Sequence, residues 1–125
     1  MQIKINIKST DLELTAELRD HVDEKILAIE KFMSLQADET PIADVELEKK
    51  YGDQKTGQIY RAEINLQYKG KVYRTESKRE DIKVAFNEAQ DEMIRRVRKS
   101  REKRKDLFKR GGSAIKNMLR FGKSE

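Results

Sequence analysis

Apolar and polar positions alternate at the start of the chain, where Ile3, Ile5 and Ile7 are interleaved with Gln2, Lys4, Asn6 and Lys8. A period of two is that of a strand with one face turned to a core. The period then lengthens. Leu18, Val22, Ile26, Ile29 and Met33 recur at three- and four-residue spacing, which predicts a helix with one buried stripe. Thr15 stands where an N-cap belongs, and Glu17 and Asp20 suit the positive end of the helix dipole. The stripe runs out at residues 33–35, ahead of a polar loop and Pro41, the one proline.

Alternation returns three times. Ala43, Val45 and Leu47 face one way and Asp44, Glu46 and Glu48 the other; Tyr60, Ala62, Ile64, Leu66 and Tyr68 then alternate with Arg61, Glu63, Asn65 and Gln67. The segment "YGDQKTG" between these strands reads as a loop with Gly52 and Gly57 as its flexible points. Lys69-Gly70 separates the third strand from "KVYRTES", and two residues with Gly second predict a tight hairpin. Ile82, Ala85, Phe86, Ala89, Met93 and Val97 form a second helical stripe. At the next core-facing positions stand Ser100 and Arg104, so the helix is expected to run beyond the domain into solvent until Gly111-Gly112 ends it. The order predicts an α+β fold, β-α-β-β-β-α: an antiparallel four-stranded sheet with two helices packed on one face. The expected division is a domain over residues 1–110, its last helix extended and basic, and a basic amphipathic tail over 111–125. In that tail Ser113 is a candidate N-cap, and Ile115, Met118 and Leu119 share one face beside Lys116 and Arg120.

Charge changes this picture. The stretch "RRVRKSREKRK", residues 95–105, holds eight Arg or Lys against Glu102 alone. Residues 95–125 carry 13 basic and 3 acidic side chains, a net of +10; the whole chain is +5, so residues 1–94 carry −5. A solvated helix face mixes signs at i,i+4, whereas Arg95–Lys99, Lys99–Lys103 and Arg101–Lys105 are like-charge pairs, each destabilising by a few tenths of a kcal/mol. Polyanion phosphates would remove that repulsion, which points to nucleic acid without choosing DNA or RNA.

Other chemistry finds little support. The chain has no Cys, which removes disulfides, thiolate ligands and a thiol nucleophile and fits a reducing cytosol. His21, the one histidine, lacks companions at ligand or triad spacing and reads as a boundary residue of the first helix. Asp44, Glu46 and Glu48 read as the wet face of a strand. Of the tyrosines, Tyr60 and Tyr68 alternate with the core side, and Tyr51 and Tyr73 stay open as stacking platforms or rim packing. Neither a P-loop nor GxGxxG is present, so no enzyme, metal, cofactor or small-molecule substrate is expected. The N-terminus lacks the apolar stretch of a signal peptide and no apolar run is long enough for a bilayer, so a cytoplasmic protein is expected.

"ELTAELRDHVDEKILAIEKF" (13–32) resembles the first helix of the ribosome hibernation factors, also called ribosome-associated inhibitors or hibernation-promoting factors, a sigma-54 modulation protein-like family. "REDIKVAFNEAQDEMIRRV" (79–97) resembles the start of their second helix, and the element order matches their double-stranded-RNA-binding-like fold over residues 2 to about 105. The resemblance implies a non-enzymatic protein of the short form. It would bind the small ribosomal subunit through its rRNA between head and body, compete there with mRNA and tRNA, and hold ribosomes idle under stress. It further implies contacts through Arg19 and Lys25 on the first helix and Arg95 on the second; charge density extends that set to Arg96, Arg98, Lys99 and Arg101. The long family form adds a dimerisation domain, for which this chain stops too early, and the direction of any effect on ribosome dimers stays open. Two alternatives compete: a generic binder of double-stranded RNA or DNA, and a protein-interaction module with a basic helix.

Overall fold

The computed structural model describes residues 2–35, 38–51 and 57–109, with side chains as far as Lys103. The expected helix stop at Gly111-Gly112, the tail 111–125 and most of the "YGDQKTG" loop lie outside the described residues. The elements in chain order are β1 (Lys4–Thr10), α1 (Ala16–Ala28) with a 3-10 turn at Ile29–Phe32, β2 (Ile42–Tyr51), β3 (Gln58–Tyr68), β4 (Lys71–Arg79) and α2 (Ile82–Lys109).

Both helices start where a side chain caps them. Thr15 is extended, and its hydroxyl accepts the Leu18 N–H at 3.1 Å. Asp81 does the same for α2, its Oδ1 accepting the N–H groups of Lys83 and Val84 at 2.8 and 3.3 Å. The β3–β4 turn has Lys69 and Gly70 at φ 51° and 75°. Two successive left-handed residues make the turn whose twist matches the paired strands, and Gly takes the second at no steric cost.

The sheet order is β1-β2-β3-β4. Here one expectation is corrected. β2–β3 and β3–β4 are antiparallel, but β1 runs parallel to β2, with Lys4 opposite Ile42 and Thr10 opposite Glu48. The chain leaves β1, crosses over through α1 and re-enters the sheet in the same direction, the connection a parallel pair requires. The sheet is therefore mixed. The α+β class, the element order and the placement of both helices on one face stand.

Between the layers lies one core. Val45, Leu47, Ile64, Leu66 and Tyr68 from the sheet meet Leu18, Val22 and Ile26 from α1 and Phe86, Ala89, Met93 and Val97 from α2. The helices are tied to each other above it. His21 Nε2 lies 2.9 Å from Asn87 Oδ1, its ring edge packs on Phe86 at 5.9 Å, and Gln90 Nε2 donates to the Lys25 carbonyl at 2.8 Å. Tyr68 pins the chain after α1 to β3, its hydroxyl accepting the Ser34 N–H at 2.8 Å. Tyr60 and Tyr73 are half-buried, while Tyr51 is 77% exposed.

Candidate nucleic-acid interface

The basic run lies on the C-terminal half of α2, around and beyond Val97, the last core residue among those described. A helix advances about 100° per residue, so consecutive cations cannot share a face. Three directions result. Arg98 turns toward α1, its guanidinium 5.4 Å from the Phe32 ring centroid, and Arg101 follows one turn on, half-buried with its Nε lacking a hydrogen-bond partner. Arg95 is exposed and borders the acid-walled part of the seam between β4 and α2. Arg96 turns to β4, donating from Nη1 to the Arg74 carbonyl at 2.9 Å and from Nη2 to Glu92 at 3.1 Å.

Lys99 lies on that same side. With Lys71, Tyr73, Arg96, Ser100 and Lys103 it lines a groove of about 260 Å³ between β4 and α2. One turn earlier the same seam is walled by Glu76, Glu88, Asp91 and Glu92, with Ser77, Arg79 and Arg95. Among the described residues Lys71, Arg95, Lys99 and Lys103 have no ion-pair partner. The α1 candidates stand apart from this region. Lys25 is half-buried on the flank that faces α2, one turn beyond His21. Arg19 is exposed, but lies about 200° around the helix from His21 and so on the flank away from α2. The fold brings Arg96 and Lys99 into one groove and spreads the other five around the helical layer.

The uncovered face of the sheet handles charge differently. Arg61 lies at its centre, with Nη1 3.2 Å from Glu48 and 3.6 Å from Glu46, Nε 2.9 Å from Glu76, and Nη2 paired with Glu63. Glu63 is buried and also receives Arg74 at 2.9 Å and the Asn65 amide at 2.7 Å. Burial works to raise the Glu63 pKa, but the hydrogen bonds from Asn65 and Arg74 and the charges of Arg61 and Arg74 outweigh it and hold the carboxyl below the usual range. Asp44, the remaining acid of the β2 row, accepts from Asn6 Nδ2 at 3.0 Å. Glu46 and Glu48 are thus two of the four acids of an ion-pair network and not merely wetted acids. The signal was in the register, which sets Arg61 opposite Glu48 with Glu46 and Glu76 on the diagonals.

Among the described residues no group of three or more His, Cys, Asp or Glu is arranged to hold a metal ion. No helix among them is long and apolar enough to cross a membrane.

A family model described as sigma 54 modulation protein / S30EA ribosomal protein matches residues 5–105. The ribosome hibernation promotion factor of Bacillus subtilis (strain 168) is 29% identical over 108 residues, 86% of this chain and 53% of that protein. The chain therefore spans about half the length of this curated relative. The crystal structure of the Thermus thermophilus Protein Y N-terminal domain matches with a TM-score of 0.62 at 26% identity, over 79% of this chain and 98% of that one. A ribosomal subunit interface protein from Coxiella burnetii shares the fold at a TM-score of 0.57 and 11% identity, over 82% and 99% of the two chains.

Proposed function

The chain belongs to the sigma 54 modulation protein / S30EA ribosomal protein family, and from that premise we propose that it is a cytoplasmic ribosome hibernation factor. It binds the small subunit through rRNA in the decoding channel, excludes mRNA and tRNA by occupancy, and halts translation without chemistry. The observation that carries this reading is that Arg95, Lys99 and Lys103 on α2 have no ion-pair partner among the described residues, whereas on the uncovered sheet face Arg61 and Arg74 are paired with acids. Bound phosphates would relieve the like-charge repulsion between Arg95, Lys99 and Lys103. Arg98 and Arg101 extend the contact toward α1 and Lys25, and Arg19 makes a peripheral one. Residues 1–110 form the binding domain, and the tail 111–125 adds a weaker contact.

Co-sedimentation with purified small and large subunits at several salt concentrations tests this. The chain should travel with the small subunit, saturate at one copy, and release as salt rises, with log K falling by roughly 0.7 to 0.9 per phosphate contact against log salt. Prebound mRNA with tRNA should compete. A flat salt response, or equal affinity for a free RNA duplex, would return the chain to the generic nucleic-acid binders. Inhibition at sub-stoichiometric protein would replace occupancy by chemistry.

A further inference from the structure

The groove between β4 and α2 exists because the apolar stripe of α2 stops one residue early. Val97 is fully buried, and the next inward position holds Ser100 where a large apolar side chain would close the space against β4. What lines the opening is uniform. Lys71 comes from the strand, Arg96, Lys99 and Lys103 from the helix, and no carboxylate faces the groove. At its floor the Tyr73 and Ser100 hydroxyls lie 2.9 Å apart. Whichever of the two donates in that bond, the other keeps a proton free for an acceptor. Four cationic side chains and one spare hydroxyl proton around a groove with no carboxylate in its lining describe the needs of a tetrahedral oxyanion. The acid-walled stretch one turn earlier along the seam would repel a second.

We infer that this groove holds one backbone phosphate of the bound RNA, with Lys71 and Lys99 as its charge clamp and Lys103 as an outer contact. Arg96 is fixed by Glu92 and the Arg74 carbonyl, and presents its charge from that fixed position. The adjoining acids give the seam a polarity: an RNA strand enters from the Lys103 end and turns away before Glu92. This assignment rests on the reading of the chain as an rRNA binder, and it adds Lys71, a strand residue outside the helical run, to the binding set.

Three variants test it, each measured for binding to small subunits and to a free RNA duplex of about 16 base pairs, long enough to span a dsRNA-binding fold. Lys71→Gln removes one clamp charge. Ser100→Leu fills the groove while keeping every cation. Lys8→Gln removes the same charge from the uncovered sheet face, where Lys8 is exposed. Lys71→Gln should lower the slope of log K against log salt by about 0.7 to 0.9, Ser100→Leu should weaken binding without loss of thermal stability, and Lys8→Gln should follow the wild type. Lys71→Gln curves that coincide with those of Lys8→Gln on both targets would overturn the groove and leave the hibernation reading intact. Wild-type chain that ignores subunits but binds duplex in a Lys71-dependent way would support the groove and overturn the ribosomal reading. Binding to neither target overturns both.

Discussion

The uncovered face of the sheet and the C-terminal half of α2 are both crowded with charge, and they use it in opposite ways. On the sheet, strand pairing sets Arg61 within reach of Glu46, Glu48, Glu63 and Glu76, so each charge is spent on a neighbour. On the helix, like charges recur at i,i+4, and among the described residues past Glu92 the fold supplies a counter-ion only to Arg96. Charge density alone does not mark a binding surface; the proposed one is where the fold leaves density uncompensated. The contrast also separates what the two regions contribute, since one holds the domain together and the other holds potential for a partner.

The two regions share one core, so the largest effect comes from breaking it. Phe86→Ala should cost about 3–5 kcal/mol in urea unfolding and remove both surfaces at once. Next is Arg61→Met, which strips the network of its centre and leaves Glu63 buried at 7% side-chain exposure with fewer partners. A loss of about 3 kcal/mol is expected, at the low end for a broken buried pair because Arg74 and Asn65 remain. This effect depends on pH. The Glu63 pKa lies below its unfolded value in the native chain, so its stabilisation is present above a pH of about 4.3 and fades as pH falls through the lower folded value. The gap between wild type and Arg61→Met should therefore narrow in acid; a gap that widens would sink the network as drawn.

Arg95→Gln, Lys99→Gln and Lys103→Gln together should do the reverse of Arg61→Met. Stability should stay within about 0.5 kcal/mol of the wild type, while the salt slope of subunit binding falls by about 2 to 3. Loss of both stability and binding would erase the distinction between the two regions. The smallest effect is expected from His21→Gln. The amide can still reach Asn87, and only the ring contact to Phe86 is lost, about 0.5–1.5 kcal/mol. Subunit binding should be unchanged, since His21 ties the helices together and touches no proposed phosphate.

The elements were legible because each has one dominant period. Ile64 and Leu66 mark β3 and Phe86 and Met93 mark α2, and the Lys69-Gly70 turn was readable from two letters. The parallel partner of β1 was harder to read, since β1 presents the same alternating residues in either direction and only the α1 crossover decides. The Arg61 network was hidden for a related reason. Its members lie two to fifteen residues from Arg61 along the chain and meet only once the register is fixed. The basic run is plain in the sequence, and its division among directions follows from helix geometry. A 100° rotation applied to residues 95–103 separates Arg98 from Lys99, and that step was available from the letters alone. Lys71 could not have been found that way. It is an ordinary strand lysine until α2 comes to lie beside it.

The hydrogen bond from Arg96 to the Arg74 carbonyl has a further consequence, for colloidal behaviour. β4 is an edge strand, and an edge offers its unpaired backbone groups to any other extended chain. A guanidinium from the overlying helix already occupies one carbonyl of that edge, and Lys71, Arg74 and Lys78 spread positive charge along it. Two copies approaching edge to edge would have to displace Arg96 and bring these cations together. Arg96→Ala should then leave a chain that is folded but more prone to associate through β4, above all in high salt, where the remaining charges are screened. On that outcome the hydrogen bond would be a guard against self-templating as well as a tether between helix and strand.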